Sequence, residues 1–272
     1  MQIYDCFLFN DEFDLLKLRL QELSSTVTQF VIGESSVTFT GQPKPLFLHE
    51  NWQMFAPWHD KITRVEILDS PQDVPAWQRE HFQRSALRRG LDCQNITNGS
   101  WIIVSDCDEI PRATTVQQLA SSPYRGRMDL RMPMFYFKLN YMNTRGLWYS
   151  SVMLPYEQMQ DVQVERQRHA YNLPCTLVDH AGWHFSWLGD EVTVHNKLRA
   201  FSHTELDTPE VHNKVNIEYL ISQGISHIND TPEWQAVKFE PSYWPQAINE
   251  NPTHWQTHIL PNASIPIGQA YE

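Results

Sequence analysis

The chain has 272 residues, of which 41% are hydrophobic, 12% aromatic and 19% charged, with 10 glycines. This length and composition suit one α/β domain or two small ones with a substantial core, and exclude a disordered chain, a collagen and a disulfide scaffold. The 21 basic residues against 32 acidic ones give a formal charge of −11, which disfavours nucleic acid and anionic membranes as partners.

Signals for targeting are missing from the sequence. No apolar stretch is long enough to span a membrane, and the first residues lack the basic region of a signal peptide. The spacing of the cysteines matches neither a metal site nor a redox motif, so we expect buried, reduced thiols at Cys6, Cys93, Cys107 and Cys175. We therefore expect a soluble, cytoplasmic protein.

The first hundred residues alternate predicted strands and helices. Apolar runs predict strands at Ile3–Phe9, Phe30–Ile32, Ile62–Leu68 and Trp101–Val104. Asn10 is positioned to cap a helix, and the spacing predicts for that helix a buried stripe of Phe13, Leu16, Leu20 and Leu23. A second helix is predicted over Trp77–Arg89, with Gly90 as its end. This alternation predicts a parallel sheet flanked by helices, with ligands beyond the carboxyl ends of its strands.

The second half of the sequence is less regular. We predict strands at Met128–Phe137 and Gly146–Met153, with antiparallel pairing considered, and helices at Asp190–Phe201 and Glu210–Gln223. Gly224 is the predicted end of the last helix. From Pro232 onward tryptophan and proline are dense and helical periodicity is absent, which predicts an ordered, irregular tail wrapped on the body.

An acidic cluster follows the fourth predicted strand. Asp106 and Asp108 lie two residues apart where a buried strand opens into a loop, so both carboxylates can bind one hard cation, Mg²⁺ or Mn²⁺. A chain at −11 needs such a counter-charge to bind a diphosphate. The scarcity of glycine and the lack of a G-x-G-x-x-G or Walker pattern argue against a phosphate-binding glycine loop.

Three other interpretations of these features remain open. A short acidic pair at a strand end is also typical of a solvated turn. Phosphohydrolases of the haloacid dehalogenase type carry a similar D-x-D, which would make Asp106 a nucleophile, although that motif usually follows the first strand. The aromatic content is also compatible with a glycan-binding protein that is not an enzyme.

Three segments in order resemble glycosyltransferase family 17. They are Phe9–Leu16, Asp106–Pro111 and Ala181–Trp187, and the stretches Glu34–Gly41 and Pro43–Leu46 are also similar to that family. The resemblance covers roughly residues 3–205. It implies a GT-A fold, a UDP-sugar donor with GlcNAc as the expected sugar, a divalent metal and inversion at the anomeric carbon.

The resemblance implies a GT-A domain and its ligands, and the lack of a linker and the irregular tail predict how the chain is divided. We expect one GT-A-like domain over 1–272, with a nucleotide-binding half at 1–110, an acceptor and catalytic half at 111–231 and a wrapping tail at 232–272. Its partners are a nucleotide-sugar donor and a carbohydrate acceptor.

Roles for single residues follow from what an inverting transfer needs. It needs a metal to neutralise the departing diphosphate, a base to take the proton of the acceptor hydroxyl, and a surface on which the sugars bind. Asp108 is the first expected metal ligand, with Asp106 in support, and His184 of the third segment is preferred to His203 as the imidazole ligand. Asp190 or Glu191, which follow a glycine at a predicted helix start, are the expected base, with Asp179 and Glu157 as weaker candidates.

The nucleotide and the sugars need binding groups as well. Asn10 and Glu34, at the ends of the first two predicted strands, are expected at the uridine, and Arg84 is expected to reach a phosphate. Aromatic side chains that can serve as sugar platforms are Trp183, Trp187, Tyr136, Tyr141 and Trp148.

Overall fold

The structure is a computed structural model that describes residues 1–167 and 175–270. Parts of the predicted acceptor half (168–174) and of the predicted tail (271–272) therefore lie outside the described residues. The described strands are β1 (Ile3–Leu8), β2 (Gln29–Ser35), β3 (Ile62–Ile67), β4 (Trp101–Val104), β5 (Glu109–Pro111), β6 (Met128–Met132), β7 (Met134–Tyr136), β8 (Tyr141–Asn143), β9 (Trp148–Pro155), β10 (Thr176–Val178), β11 (Gly182–Ser186) and β12 (Trp234–Ala236).

The described α-helices cover both halves of the chain. They are α1 (Phe13–Leu23), α2 (Phe47–Glu50), α3 (Ala76–Ala86), α4 (Arg88–Asp92), α5 (Ala113–Ser121), α6 (Val162–Gln167), α7 (Glu191–Ala200), α8 (Pro209–Lys214), α9 (Ile217–Gln223), α10 (Gln246–Glu250) and α11 (Pro252–Trp255). Short 3₁₀ helices occur at Trp52–Lys61, Tyr156–Gln158, Thr204–Leu206, Gln256–His258 and Ile267–Gln269. Among the described residues, no helix combines the length and apolar character needed to cross a bilayer.

The central sheet has seven strands in the order β10-β6-β9-β4-β1-β2-β3. All neighbouring pairs are parallel except those that β9 makes with β4 and β6. The prediction of a mostly parallel sheet flanked by helices is confirmed, as is the antiparallel pairing of β6 with β9. The chain adds β2 and β3 on one side of β1 and β4 on the other, which creates a topological switch point between β1 and β4, where ligands bind in such sheets.

Side chains of β1 alternate between the two faces of this sheet. Phe7 belongs to a core cluster with Leu16 and Leu20 of α1, while Cys6 belongs to another with Ala86 of α3 and Leu91 of α4. The predicted stripe of α1 is thus confirmed. Because both faces of the sheet are covered at its centre, β4 is fully buried and continuously apolar, as its sequence indicates.

A second sheet of five strands has the order β12-β8-β7-β11-β5. One of its core clusters includes Leu15 and Leu18 of α1 together with Trp244 and Trp255 of the predicted tail. The other cluster joins it to α7 and α9, for example through Val194. The tail is therefore ordered and packed on the body, although it also contributes the short elements β12, α10 and α11.

Two of the predicted helix ends were wrong. Asn10 does not cap α1, because the helix begins at Phe13 and Asn10 instead donates a side-chain hydrogen bond to Asp11. Gly90 does not end a helix but lies inside α4, after a break beyond α3. A Cβ on Gly90 would lie 2.5 Å from Val31 Cγ1 and 2.6 Å from Val65 Cγ2, so the glycine permits close packing of α4 on the sheet.

Two long predicted elements are each divided in two. The predicted strand Met128–Phe137 is broken at Pro133, which lacks an N–H for the ladder, and its parts β6 and β7 belong to different sheets. The predicted helix Glu210–Gln223 is broken before Asn216, whose side chain accepts a hydrogen bond from the Tyr219 N–H and caps α9. Gly224 ends α9 with a φ of +68°, as predicted.

The cysteines are all free thiols, but not all are buried. Cys6 and Cys107 are buried, Cys175 is half-buried and Cys93 is exposed. The prediction of burial therefore holds for two of the four.

Candidate active site

Two of the segments that resemble a family are neighbouring strands. β5 carries the end of the D-x-D segment and pairs antiparallel with β11, so that Ile110 lies opposite Trp183 and Glu109 opposite His184. A Cβ on Gly182 would lie 2.1 Å from the carbonyl oxygen of Ile110. Only glycine allows this close approach, which explains why the third segment begins its strand with that residue.

A cavity of about 430 Å³ lies at the carboxyl ends of β1, β2 and β4, at the topological switch point. Its walls come from the loops after these strands, from α3 and α6, and from α7 and the segment before it. Its charged lining residues are Asp11, Glu12, Lys44, Glu80, Arg84, Asp106, Asp108, Arg166 and Lys197. The predicted residues Asn10, Arg84, Asp106 and Asp108 thus share one cavity.

Asp106 is held by two arginines. Its Oδ1 accepts a hydrogen bond from Arg84 Nη2 at 3.0 Å, and its Oδ2 accepts one from Arg166 Nη2 at 2.5 Å. Burial by itself would raise the pKa of Asp106, but the charges of Arg166 and Arg84 outweigh it and lower the pKa to about 2. Both arginines also have a glutamate partner, Glu80 for Arg84 and Glu109 for Arg166.

Asp108 lies between an ammonium group and an imidazole. Its Oδ2 accepts a hydrogen bond from Lys197 Nζ at 2.9 Å, and its Oδ1 is 3.5 Å from His184 Nε2. Burial opposes ionisation of Asp108, but Lys197 and His184 outweigh it and hold its pKa well below the usual range. The structure therefore brings His184 to Asp108, whereas His203 pairs with Glu205 at 2.7 Å.

The loop that carries the aspartates is anchored from beneath by Arg19 of α1. Its guanidinium donates to the backbone carbonyls of Asp106 and Glu109 at 2.7 and 2.8 Å, and to Ser105 Oγ at 2.5 Å. It also forms a fully buried, two-point ion pair with Asp5 of β1, at 2.8 and 2.6 Å. One guanidinium therefore joins the first strand, the first helix and the D-x-D loop.

Glu109 is buried and binds several side chains next to the cavity. Its carboxylate binds Arg166 through both oxygens at 2.7 Å and accepts hydrogen bonds from Trp148 Nε1 at 2.6 Å and Ser151 Oγ at 2.9 Å. Trp148 in turn lies against the ring of His184, with centroids 5.0 Å apart. This network fixes the positions of groups that face Asp106 and Asp108.

Asp106 and Asp108 are the carboxylates at which the sequence predicts a divalent cation. Asp106 and Asp108 offer oxygen ligands to the same cavity, and Mg²⁺ is usually bound by one or two carboxylates with substrate phosphates completing its shell. No group of three or more His, Cys, Asp or Glu side chains is arranged as a metal cage within residues 1–167 and 175–270. Carboxylate oxygens are ligands of the kind that Mg²⁺ and Mn²⁺ prefer, and a metal at this pair stays a prediction.

The cavity is not lined by four of the predicted site residues, Glu34, His184, Asp190 and Glu191, although His184 approaches Asp108, which does line it. Glu34 faces α2, whose Leu48 and His49 N–H groups donate to its carboxylate, because neighbouring side chains of β2 point to opposite faces. Asp190 caps α7 by accepting hydrogen bonds from the Thr193 N–H and hydroxyl, which lowers its pKa. Asp190 and Glu191 line a different cavity of about 460 Å³.

The weaker candidates for the base lie outside the main cavity too. Asp179 pairs with Arg131, and Glu157 accepts a hydrogen bond from the Gly99 N–H at 3.0 Å. Only two of the predicted sugar platforms, Trp148 and Trp187, line the main cavity. Trp183 and Tyr141 are buried in the core, and Tyr136 packs on the ring of Trp234.

Sequence reasoning assigned no site role to several residues that line or support the cavity, among them Glu12, Lys44 and Glu80. Lys197, Arg166 and Trp77 also line it, and Arg19 lies beneath it. Two of them had a visible signal, since a charged residue that falls on the apolar stripe of a helix, as Arg19 and Lys197 do, needs a buried partner. Arg166 and Trp77 carried no such signal.

The low pKa of Asp106 predicts a loss of stability in acid. A carboxylate whose pKa is about 2 in the folded chain and about 3.9 in the unfolded chain stabilises the fold above the unfolded value, and this contribution is lost as the pH falls through the folded value. We expect the free energy of unfolding, measured with urea between pH 5 and 2, to fall more steeply in the native chain than in Asp106→Asn. Equal slopes would contradict this.

Comparison with known proteins identifies the family. The model of glycosyltransferase family 17 matches residues 1–239. The chain belongs to glycosyltransferase family 17. Both motif strands, β5 and β11, lie within the matched region, so the resemblance predicted from the sequence is confirmed.

Curated relatives agree with this family over part of their length. The β-1,4-mannosyl-glycoprotein 4-β-N-acetylglucosaminyltransferases of Homo sapiens and Rattus norvegicus are 34% identical to the chain over 110 residues, and that of Mus musculus is 33% identical. The aligned region is 38% of this chain and 20% of each relative. The chain thus aligns with about a fifth of the curated relatives that it matches.

Solved structures show only a distant likeness. HddC from Yersinia pseudotuberculosis has a TM-score of 0.39 at 10% identity, covering 65% of this chain and 88% of that one. The inositol-1-phosphate CTP transferase from T. maritima has a TM-score of 0.40 at 8% identity, covering 71% and 94%. Likeness this remote does not establish the GT-A fold that the sequence implies.

Proposed function

We propose that the chain is a metal-dependent, inverting glycosyltransferase of GT-A type that moves a sugar, GlcNAc in our expectation, from a UDP donor to a hydroxyl of a glycan or another acceptor. The observation that carries the proposal is the D-x-D pair at the switch-point cavity, which strand pairing holds beside the third family segment, Ala181–Trp187. The family and its N-acetylglucosaminyltransferase relatives support the same class of reaction.

The cavity offers different surfaces to the parts of such a donor. Asn10 and the backbone after β2 suit the uridine, and Trp77, which is 42% exposed, offers a flat face at the same cavity. The diphosphate suits the end that carries Arg84, Asp106 and Asp108. Asp108 and Asp106 would hold a divalent cation, with His184 beside them, and the cation would supply positive charge to the departing diphosphate.

For the general base we propose Glu12, while Asp190 and Glu191 stay predictions. Glu12 lines the cavity, and its burial raises its pKa, an effect that the nearby charge of Lys197 only partly offsets. A base with a raised pKa removes a proton from a hydroxyl more effectively than Asp190, whose pKa is lowered by its capping bonds. In the transfer, the acceptor oxygen bonds to the anomeric carbon, its proton passes to Glu12, and the carbon–phosphate oxygen bond breaks.

A pair of variants tests this assignment. In the native chain Glu12 Oε2 accepts a hydrogen bond from the Asn10 N–H at 3.1 Å, and Glu12→Gln keeps a carbonyl oxygen for this bond. We expect Glu12→Gln to lower kcat by about 10²- to 10⁴-fold. Asp190→Asn, the matched control, should change kcat little. In the native chain kcat/KM should fall as the pH drops through the raised pKa of Glu12, and Glu12→Gln should lose that limb. A large loss in Asp190→Asn alone would return the role to Asp190.

Donor binding tests the function as a whole. Calorimetric titration with UDP should show binding that requires Mn²⁺ or Mg²⁺, and a panel of UDP-sugars should identify a donor by its hydrolysis or transfer. The phosphohydrolase alternative instead requires phosphate release from aryl phosphates that is abolished in Asp106→Asn. Glycan binding that is indifferent to metal and UDP, without any turnover, would support the glycan-binding alternative and contradict the proposal.

A further inference from the structure

Lys197 forms an ion pair with Asp108, the carboxylate at which a divalent cation is expected. Its Nζ lies 2.9 Å from Asp108 Oδ2, and its side chain is 28% exposed. The ammonium also lies 5.2 Å from the centre of the Trp187 ring, whose face favours a cation. His184 approaches the other oxygen of the same carboxylate. The carboxylate expected to bind a divalent cation is thus already paired with charge from the chain.

The arginines of the cavity are differently placed. Arg84 pairs with Glu80 at 2.6 Å and Arg166 pairs with Glu109 at 2.7 Å, besides their contacts with Asp106. Their charges are thereby shared with two glutamates, of which Glu80 lines the cavity and Glu109 is fully buried. Lys197 is less constrained than these arginines. Its ion pair is with Asp108 rather than with a glutamate, and its flexible side chain ends in a compact point charge.

We propose that Lys197 is an exchangeable counter-ion: it holds Asp108 while the donor is absent, and it turns to the diphosphate when a divalent cation and the donor enter together. This rests on the proposed function. A divalent cation that binds Asp108 meets the ammonium already paired with that carboxylate, and the repulsion between the two charges favours displacement of the ammonium. The diphosphate supplies the negative charge that receives the displaced ammonium, so cation and donor must favour each other's binding, by the same factor in each direction.

Binding of Mn²⁺ alone tests this without turnover. The free Mn²⁺ signal in electron paramagnetic resonance should show weak binding by the native chain and at least 10-fold tighter binding by Lys197→Met. Lys44→Met is the matched control, since Lys44 lines the same cavity while its ammonium contacts the Pro45 carbonyl and the Phe47 ring. It should bind Mn²⁺ much as the native chain does.

Addition of UDP completes the test. UDP should tighten Mn²⁺ binding strongly in the native chain and in Lys197→Arg, which keeps the charge, but much less in Lys197→Met. Thermal unfolding monitored for each variant separates misfolding from altered binding, and Lys197→Gln, which also lacks the charge, replaces Lys197→Met if that variant does not fold. Unchanged Mn²⁺ affinity in a folded Lys197→Met would overturn the inference alone, whereas a native chain that binds no Mn²⁺ with UDP would overturn the proposed function.

Discussion

Replacing Asp108 by asparagine is expected to lower kcat/KM for sugar transfer by about 10³-fold, because groups that stabilise charge developing in the transition state typically contribute 10²- to 10³-fold each. The asparagine side chain keeps an oxygen that can accept the hydrogen bond from Lys197, so the chain should still fold. What Asp108→Asn loses is the negative charge that binds a divalent cation. Initial rates with a UDP-sugar at several Mn²⁺ concentrations measure the effect.

The control for this variant is Asp69→Asn. Asp69 forms an ion pair with Arg89 on the surface, where its side chain is 60% exposed, and its replacement should leave kcat/KM unchanged. A folded Asp108→Asn chain with near-native turnover would show that this carboxylate takes no part in catalysis.

The largest expected effect on stability comes from Arg19. Arg19→Met leaves Asp5 as a buried charge without its partner, and breaking a buried ion pair in this way costs about 3 to 5 kcal/mol. The variant also removes the hydrogen bonds to the carbonyls of Asp106 and Glu109. Urea unfolding measures the loss. Arg88→Met is the control, because Arg88 pairs with Asp92 on the surface, where such pairs contribute about 0 to 1 kcal/mol.

A double variant separates the two roles of Arg19. Adding Asp5→Leu to Arg19→Met removes the unpaired charge, and replacing both partners of a buried pair by apolar residues is often close to neutral. We therefore expect most of the stability to return while the D-x-D loop stays without its anchor and turnover stays low. Recovery of both would show that Arg19 supports the fold but does not position the loop.

Much of the first half of the fold follows from local sequence. The strands from β1 to β4 are short apolar runs between turn signals, and periodicity alone marks the buried stripe of α1. Breaks set by tertiary packing are less visible: Gly90 has the local signature of a helix end but is needed for packing against Val31. Pro133 is a better local signal, since it interrupts the pattern where the chain leaves one sheet for the other.

The site was predictable where its residues lie in motifs. Asp106, Asp108 and His184 come together because β5 pairs with β11, a contact that no local pattern contains. Glu34 and Asp190 were chosen from their places at element ends, where a carboxylate can equally well cap a helix, as both do here. Net charge was no guide to the charge of the site. The chain carries −11 as a whole, yet four basic side chains line the same cavity, at Lys44, Arg84, Arg166 and Lys197.

The pairing of β5 with β11 also has a consequence for how the protein is made. Glu109 and its partner His184 are about 75 residues apart, and contacts of such separation form late because the intervening chain must first be closed into a loop. During synthesis the D-x-D loop emerges long before the strand that supports it, and before Lys197 can neutralise Asp108. Arg84, the partner of Asp106, precedes the loop in the chain, but Asp108 lacks Lys197 at this stage, and the cavity acquires its final charge only once α7 has left the ribosome and docked.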